Sequence, residues 1–294
     1  RWIENKVNDY LNGILQTTDK DYIIASDTDS IYVTFDDLVN KSFGERTDVS
    51  TERVINFLDE IAKEKMEPYI DKCFIELAEY VKAYAQRMEM SREVIADKGI
   101  WTAKKRYILN VHDSEGVRYA EPQLKIMGIE AVKSSTPGPC REKIKEVLKV
   151  IVNEDSVAVN NFIQEFRKEF MSLPVENIAF PRSVNGLRKW SDSNGIFKKK
   201  CPMHIKGALI YNYLLKRLNL TKKYPLILEG EKIKYLLLKT PNKVQANVIA
   251  FLGVLPKEFE LHDYINLDLQ FDKSYVDPLQ FIMEAIGWEI DRSY

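Results

Sequence analysis

Cysteine is scarce in this sequence, and the few that are present exclude two kinds of structural site. The 294 residues include three cysteines, Cys73, Cys140 and Cys201, which lie far apart and form no CxxC pair. Disulfide frameworks and thiolate-rich zinc sites require more cysteines at closer spacing. The three histidines are not placed as zinc ligands beside a cysteine pair either. These absences indicate a protein of a reducing compartment without a zinc cluster.

Long apolar runs are also missing. No stretch approaches the roughly 20 consecutive apolar residues of a membrane span, and residues 1–6 do not resemble a signal peptide. We therefore expect a soluble, cytoplasmic protein with no membrane partner. Its length predicts two domains. Because the chain opens with Arg1 inside a predicted helix, we also expect a preceding segment or a partner chain.

The net charge is only −1, but charges of opposite sign are segregated along the chain. Residues 1–100 carry 13 Lys/Arg and 21 Asp/Glu, whereas residues 182–223 carry 11 Lys/Arg and a single acid, Asp192. A basic segment of this kind suits phosphate groups, and an acidic region suits cations. Two solvated faces without charged ligands would give the same pattern. Charge alone leaves both interpretations open.

Hydrophobic periodicity predicts an α+β fold with a first domain at residues 1–126 and a mainly helical second domain, with a small β unit, at residues 127–294. The predicted elements are a helix over 2–14, hairpin strands at 22–25 and 31–35, amphipathic helices over 54–81, strands over 101–126, helices over 142–170, a basic loop over 182–203, a helix over 204–218 and a β unit over 233–251.

Candidate chemistry lies at the turn of the predicted hairpin, where Asp27 and Asp29 stand between two apolar strands. Strand alternation would point both carboxylates to the same side, where they could share a divalent cation. The alternative is an ordinary exposed turn, since aspartate and serine favour turns. The residues by themselves do not decide between the two.

Four segments, in the same order, resemble family B DNA polymerases and in particular those of T-even-type bacteriophages. Because together they cover most of the chain, we identify it as the C-terminal palm (1–126) and thumb (127–294) portion of such an enzyme. Ser26 departs from the glycine that the family usually has before the first aspartate. The four segments are residues 27–30 (DTDS, similar to motif C), 101–107 (WTAKKRY), 124–128 with 133–137 (LKIMG and KSSTP) and 200–207 (KCPMHIKG).

The resemblance implies template-directed nucleotidyl transfer with two Mg²⁺ ions, deoxynucleoside triphosphates and primer-template DNA. Asp29 would be the main metal ligand, assisted by Asp27. Lys105 and Lys133 would reach the minor groove, where acceptors lie at similar positions in every base pair. The remaining implied DNA contacts are Lys104, Arg106, Tyr107 and Ser135 beside the primer-template, and Lys200, His204 and Lys206 on the phosphate backbone.

Two motifs of the family are missing from this sequence. No DxxSLYP-like segment supplies the other palm carboxylate, and no KxxxNSxYG-like fingers helix is present. We therefore expect an N-terminal polymerase portion to supply the exonuclease, the fingers and the rest of the palm, with an apolar interface on the face of residues 1–35. A sliding clamp is a further possible partner, although residues 281–288 do not clearly match a clamp peptide.

Two other functions stay open at this point. One is a non-catalytic module that binds primer-template duplex and whose hairpin carboxylates serve no chemistry. The other is a soluble α+β protein unrelated to DNA, which would bind primer-template weakly and with little dependence on salt concentration.

Overall fold

The structure, a computed structural model, describes residues 1–44, 49–129, 133–193 and 195–293. The chain divides into two compact units: residues 1–99 with 103–125, and residues 100–102 with 126–294. Residues 130–132, in the expected junction of the two domains, and residue 194, in the predicted basic loop, lie outside the described residues.

The first unit combines helices with two small sheets. Strands β1 and β2 form an antiparallel hairpin, and β3, β4 and β5 form a three-stranded sheet in that order. Its elements are α1 (Trp2–Leu15), β1 (Ile23–Ser26), β2 (Ile31–Val33), α2 (Asp36–Phe43), α3 (Thr51–Ile61), a π-helical turn (Ala62–Met66), α4 (Glu67–Tyr80), β3 (Val94–Ala103), β4 (Arg106–Ser114) and β5 (Val117–Met127). This mixture of helices and antiparallel strands confirms the α+β prediction.

The opening helix is present as predicted and supplies one side of a core. Every fourth residue, from Ile3 through Val7 and Leu11 to Leu15, is buried, as one face of an α-helix requires. These side chains pack with residues of α4, and β1 and β2 contribute partly buried side chains to the same cluster. Ile14, which the spacing placed on this face, is instead 45% exposed.

A buried charge network joins α3 to the three-stranded sheet. Arg92 is 10% exposed and pairs with both Asp59 of α3 and Asp113 of β4, whose side chain is 3% exposed. Arg118 of β5 also donates to Asp113, at 3.1 Å from Nε to Oδ2. Because each buried charge has a partner of opposite sign, the network avoids the cost of an isolated buried ion.

The second unit begins with helices and continues with a small sheet, in the order β6, β7, β8. The helix predicted at 204–218 is found one residue earlier, and the predicted β unit has a third strand, β6. Its elements are α5 (Gly138–Asn153), α6 (Ser156–Phe170), α7 (Val175–Ile178), β6 (Phe180–Ser183), α8 (Leu187–Trp190), α9 (Met203–Arg217), β7 (Lys232–Leu237), β8 (Val248–Phe251), 3-10 turns (Lys257–Phe259 and His262–Tyr264), α10 (Leu267–Phe271), a π-helical turn (Asp272–Val276) and α11 (Asp277–Ala285).

Close packing of α9 on β8 fixes the position of the basic segment that leads into this helix. Gly207 makes the approach possible, because a Cβ atom there would lie 2.8 Å from the amide nitrogen and 3.1 Å from the Cβ of Ala250. Real Cβ atoms do not come that close to backbone atoms, so a larger residue would push the helix away from the sheet.

Within the described ranges, none of the helices combines the length and the apolar character that crossing a membrane requires.

Candidate active site and nucleic-acid interface

The hairpin of the first unit contains a bulge that sets the direction of its side chains. Ile23 pairs with Val33, and Ala25 already pairs with Tyr32, so Ile24 is one extra residue in β1. A bulge of this kind shifts the alternation of side chains by one position. Ile23 therefore points to the core. Beyond the bulge, Ala25 and the residues that alternate with it point to the opposite side from the one that regular alternation from Ile23 would give.

Asp27 gains its position from this offset. Its amide donates to the Ser30 carbonyl at 2.9 Å, which places the two residues opposite each other at the end of the hairpin. In that register Asp27 lies on the side of Tyr32. Regular alternation from Ile23 would have placed the carboxylate on the core side. Ser26 has no positive φ, so the backbone does not require the glycine that the family has there.

The two predicted metal ligands have different surroundings. Asp27 is half-buried, and its Oδ1 accepts from the Thr28 amide at 2.8 Å and from the Thr28 hydroxyl at 3.3 Å. The bond from the amide, helped by the charge of Lys105, lowers the pKa of Asp27. Asp29 is exposed in the bend, and no described residue forms a hydrogen bond or ion pair with its carboxylate. Because β1 ends before this bend, strand alternation does not relate the two carboxylates.

The turn between β3 and β4 brings the WTAKKRY segment to the hairpin. Lys104 and Lys105 form this two-residue turn, with Lys105 in the left-handed region at φ 61°. Its Nζ lies 3.6 Å from Oδ1 of Asp27. Two segments that are far apart in the sequence, each singled out for polymerase chemistry, therefore meet within the first unit.

Aromatic residues support this meeting point. Arg106 begins β4, and Tyr107 beside it is 8% exposed. The Tyr107 ring packs against Tyr32 of the hairpin, with ring centroids 5.3 Å apart. Burial, together with a hydrogen bond to Tyr107, raises the pKa of Tyr32 to about 12. The phenol therefore stays protonated and able to donate near neutral pH.

Lys125 belongs to the same region, although the sequence did not single it out. Its positive charge acts on the Tyr32 phenol, and its ammonium pairs with Glu93. The signal was present, because Lys125 lies inside the LKIMG segment that carried part of the resemblance.

The hairpin offers ligands of the type that Mg²⁺ prefers, namely carboxylate oxygens. Asp29 is accessible, and Asp27 is half-exposed beside it in the chain, so the two fit part of a divalent-cation site. Among the described residues no group of three or more acidic, histidine or cysteine side chains could hold a metal ion. Water, substrate phosphates or a carboxylate from elsewhere would have to complete the coordination.

Lys133 and Ser135 lie in the second unit, just before α5. Lys133 is exposed, and its carbonyl accepts from the Thr136 amide at 3.2 Å, which closes a turn. Ser135 is half-buried within that turn.

The basic loop before α9 presents its lysines to solvent. Lys198, Lys199 and Lys200 are all exposed, and Lys200 has a positive φ of 63°. The Lys198 amide donates to the Trp190 carbonyl at 2.9 Å, which ties the loop to the end of α8. The loop thus exposes three positive side chains, and its backbone is held to the end of α8 by the hydrogen bond at Lys198.

Lys206 lies on the first turns of α9. Its Nζ donates to Oδ1 of Asn247 at 2.8 Å and sits 4.8 Å from the centroid of the Phe197 ring. These contacts orient the side chain without neutralising it, because neither partner carries a negative charge.

His204 is half-buried near the start of the same helix. Its ring centroid lies 6.4 Å from that of Tyr235, whose hydroxyl is hydrogen-bonded to Arg182. Burial, and then the charge of Arg182, lower the pKa of His204. The sequence signal for His204 was the resemblance, whereas nothing in the sequence predicted that Tyr235 and Arg182 would join it.

Comparison with curated proteins finds relatives along the whole chain. The similarity covers 99% of this chain and reaches 36% identity with the DNA-directed DNA polymerase of Enterobacteria phage T4 and 40% identity with that of Escherichia phage RB69. The chain spans about a third of the length of these relatives, 33% in both cases. No family model matches the chain.

Proposed function

We propose that the chain, which is similar along 99% of its length to the DNA polymerases of two T-even-type bacteriophages, forms the motif C hairpin of the palm, together with the thumb, of a family B enzyme. The observation that carries this proposal is the contact between Asp27 and Lys105, 3.6 Å apart. It joins Asp27, one of the two expected metal carboxylates, to the segment expected to follow the newly made duplex. Such an enzyme would act in the cytoplasm of the host cell.

In this proposal Asp29 and Asp27 hold Mg²⁺ at the tip of the hairpin. The bound ions would activate the primer 3′-hydroxyl and stabilise the leaving pyrophosphate of the incoming deoxynucleotide. Asp29 is the principal ligand, because its carboxylate is exposed and has no partner among the described residues. Asp27 assists from a fixed position set by its hydrogen bonds to Thr28.

The DNA contacts fall into two groups in this proposal. In the minor groove, Lys105 and Lys133 would meet acceptors that are similar for all base pairs, so the contact checks the shape of the pair without reading the sequence. On the backbone, exposed cations would bind phosphates by charge. The first group also includes Lys104, Arg106, Tyr107 and Ser135, and the second comprises Lys200, His204 and Lys206.

The site proposed here needs a further polymerase portion. Such a portion would supply the exonuclease, the fingers and the second palm carboxylate, since two carboxylates of one hairpin do not complete a two-metal site. Its contact surface would include the exposed apolar side chains of the first unit. Within residues 1–35 these are Ile14 and Ile24, and a denser series follows at Ile75, Tyr80, Val81, Tyr84 and Met88.

Primer extension tests this function. The chain is incubated with Mg²⁺, the four deoxynucleotides and primer-template, first alone and then with the N-terminal polymerase portion of a T-even-type relative. We expect synthesis only in the second case. In that mixture Asp29→Ala should reduce synthesis at least about a thousandfold while leaving DNA affinity nearly intact, a loss of about 4 kcal/mol in transition-state stabilisation. Synthesis by the chain alone, or by the Asp29→Ala mixture, would contradict the proposal.

A second candidate is a module that binds duplex without chemistry. It is favoured by one observation: the cation Lys105, rather than a third carboxylate, accompanies Asp27. In that case the Asp29→Ala mixture would extend primers as well as the unmodified mixture does, because the polymerase activity would come entirely from the other portion.

A further inference from the structure

One carboxylate oxygen of the hairpin, Oδ1 of Asp27, already has too many neighbours to bind a metal ion as well. Oδ1 of Asp27 accepts from the Thr28 amide at 2.8 Å and from the Thr28 hydroxyl at 3.3 Å, and Nζ of Lys105 lies 3.6 Å away. A carboxylate oxygen offers about two lone-pair positions. A divalent cation at this oxygen would therefore meet both occupied acceptor positions and a positive charge.

Lys105 is the neighbour that can leave. The Thr28 amide is fixed by the backbone of the bend itself, whereas the Lys105 side chain is 61% exposed and long enough to turn away from the hairpin. Its backbone stands in a two-residue turn, so only the side chain has to move. The contact is an exposed ion pair with 3.6 Å between Nζ and Oδ1, and exposed pairs of this kind are weak enough to break and reform.

The same ammonium group has two partners to choose between, Asp27 and the duplex. In the proposed function Lys105 reaches acceptors in the minor groove of the duplex. We infer that an ammonium that turns to a base edge gives up its ion pair with Asp27. Duplex binding would thus remove the positive charge from the hairpin at the moment when primer and template are in place.

We propose that Lys105 is a transferable counter-ion that couples DNA binding to metal binding. Without DNA it neutralises Asp27 and weakens cation binding at the hairpin, and with duplex bound it moves to the minor groove and leaves Asp27 to the cation. This inference rests on the proposed function. Because coupling between two binding sites is reciprocal, metal at the hairpin also strengthens duplex binding by the same factor.

The first test uses Mn²⁺ as the probe and measures free Mn²⁺ by electron paramagnetic resonance in titrations of this chain without DNA. An exposed ion pair contributes at most about a fivefold factor to an equilibrium constant. Lys105→Met should therefore lower the Kd for the hairpin-bound Mn²⁺ about two- to fivefold. Lys104→Met, which removes an equal charge from the same turn, is the matched control and should change the Kd much less. Lys105→Gln, checked by its thermal unfolding, repeats the measurement with a polar side chain.

Background variants separate this inference from the proposed function. Asp29→Asn should abolish the hairpin-bound Mn²⁺, and if it does not, the proposed metal site is wrong and the inference falls with it. If Asp29→Asn abolishes binding but Lys105→Met and Lys104→Met bind Mn²⁺ equally, the inference alone is wrong. In an Asp27→Asn background the effect of Lys105→Met should largely disappear, because the pair that it breaks is already absent.

The second test adds a saturating primer-template duplex. The Asp29→Asn chain with the same duplex gives the Mn²⁺ bound to DNA, which is subtracted. We expect the duplex to tighten the hairpin site of the unmodified chain by about the factor that Lys105→Met produces without DNA, and to tighten the Lys105→Met chain much less. Equal tightening of both chains would overturn the coupling.

Discussion

The hairpin region of the first unit and the basic loop of the second differ in how their charges are balanced. In the first unit acids and bases pair with one another: Asp27 with Lys105, and Asp113 with Arg92. In the second, Lys198, Lys199 and Lys200 stand exposed together. The buried pair of Asp113 with Arg92 helps to determine the geometry of the fold, whereas an exposed cluster of like charges favours binding of a ligand of opposite sign.

This difference indicates where substitutions will be felt. Removing one member of a buried pair such as Asp113 with Arg92 leaves the other uncompensated and should disturb the fold itself. Removing a surface cation should leave the fold intact and change the affinity for polyanions. Five experiments test the contrast between the two regions.

The largest effect is expected where a buried pair is broken. Asp113→Ala removes the partner shared by Arg92 and Arg118, and loss of one member of a buried ion pair costs about 3–5 kcal/mol. The free energy of unfolding in urea, followed by circular dichroism, measures this loss. Lys198→Ala in the basic loop is the contrasting variant and should stay within about 0.5 kcal/mol of the unmodified chain.

The same network predicts a dependence on pH. Burial opposes the charged form of Asp113, but the hydrogen bonds from Arg92 and Arg118 outweigh burial and lower its pKa. A lowered pKa in the folded state gives stability that is present above the unfolded value of about 3.9 and is lost as the pH falls through the folded value. Between about pH 5 and about pH 2, where a paired carboxylate takes up its proton, the Asp113→Asn chain should therefore lose less stability than the unmodified chain. An equal loss in both chains would contradict this role of Asp113.

A smaller loss of stability is expected at the contact between α9, which follows the basic loop, and β8. Gly207→Ala places a methyl group 2.8 Å from the Ala250 amide nitrogen, and overpacking of this kind costs about 1–3 kcal/mol. Gly13→Ala is the matched control, because it lies in α1 with no atom within 4 Å of the added methyl group. That substitution should be neutral or stabilise by up to about 1 kcal/mol. A similar response at both glycines would show that the contact between α9 and β8 is looser than described.

The next effect concerns affinity and leaves stability unchanged. Replacing Lys198, Lys199 and Lys200 by alanine should flatten the plot of log affinity for duplex DNA against log salt by roughly 0.9 per lost phosphate contact, up to about 2.7. The control removes three exposed lysines from the first unit, Lys65, Lys72 and Lys82, and so changes the net charge equally. If both triple variants alter the slope alike, the basic loop has no special part in DNA binding.

The smallest expected effect is the pH dependence of DNA affinity that His204 gives to the basic region. The pKa of His204 is lowered by burial and by Arg182, so the free protein holds this side chain neutral near pH 7. A phosphate beside it would favour the charged form, so binding takes up a proton and affinity should rise as the pH falls. Between about pH 7.5 and 6 we expect a twofold to fivefold gain, on the scale of less than about 1 kcal/mol. His204→Gln should remove this gain in a filter-binding titration, and a gain of equal size in that variant would contradict it.

Local patterns predicted the elements of this fold better than their contacts. The spacing of Ile3, Val7 and Leu11 was sufficient to identify α1, because one face of that helix is buried. Helix α2 (Asp36–Phe43) was missed, since it is short and has no fully buried residue to create a period. The first half of β3 was missed because Asp97 and Lys98 interrupt the apolar pattern there.

The candidate site required more than local pattern. The aspartates and the Lys-Lys-Arg-Tyr run could be singled out, but their meeting depends on how the hairpin packs against the turn between β3 and β4. The turn contains no glycine or asparagine, so its sequence did not predict the positive φ of Lys105. In the second unit, the grouping of His204 with Tyr235 and Arg182 joins a helix to two strands and has no signature in any single segment.

The extra residue in β1 makes this hairpin sensitive to length rather than to side-chain identity. Ile24 is 49% exposed, so many side chains could replace it with little effect on packing. Deleting it, however, would restore regular alternation, and either Ile23 would leave the core or Asp27 would turn into it. Within this chain Ile24 is therefore easier to replace than to delete, because only a deletion would change the side of the hairpin on which Asp27 lies.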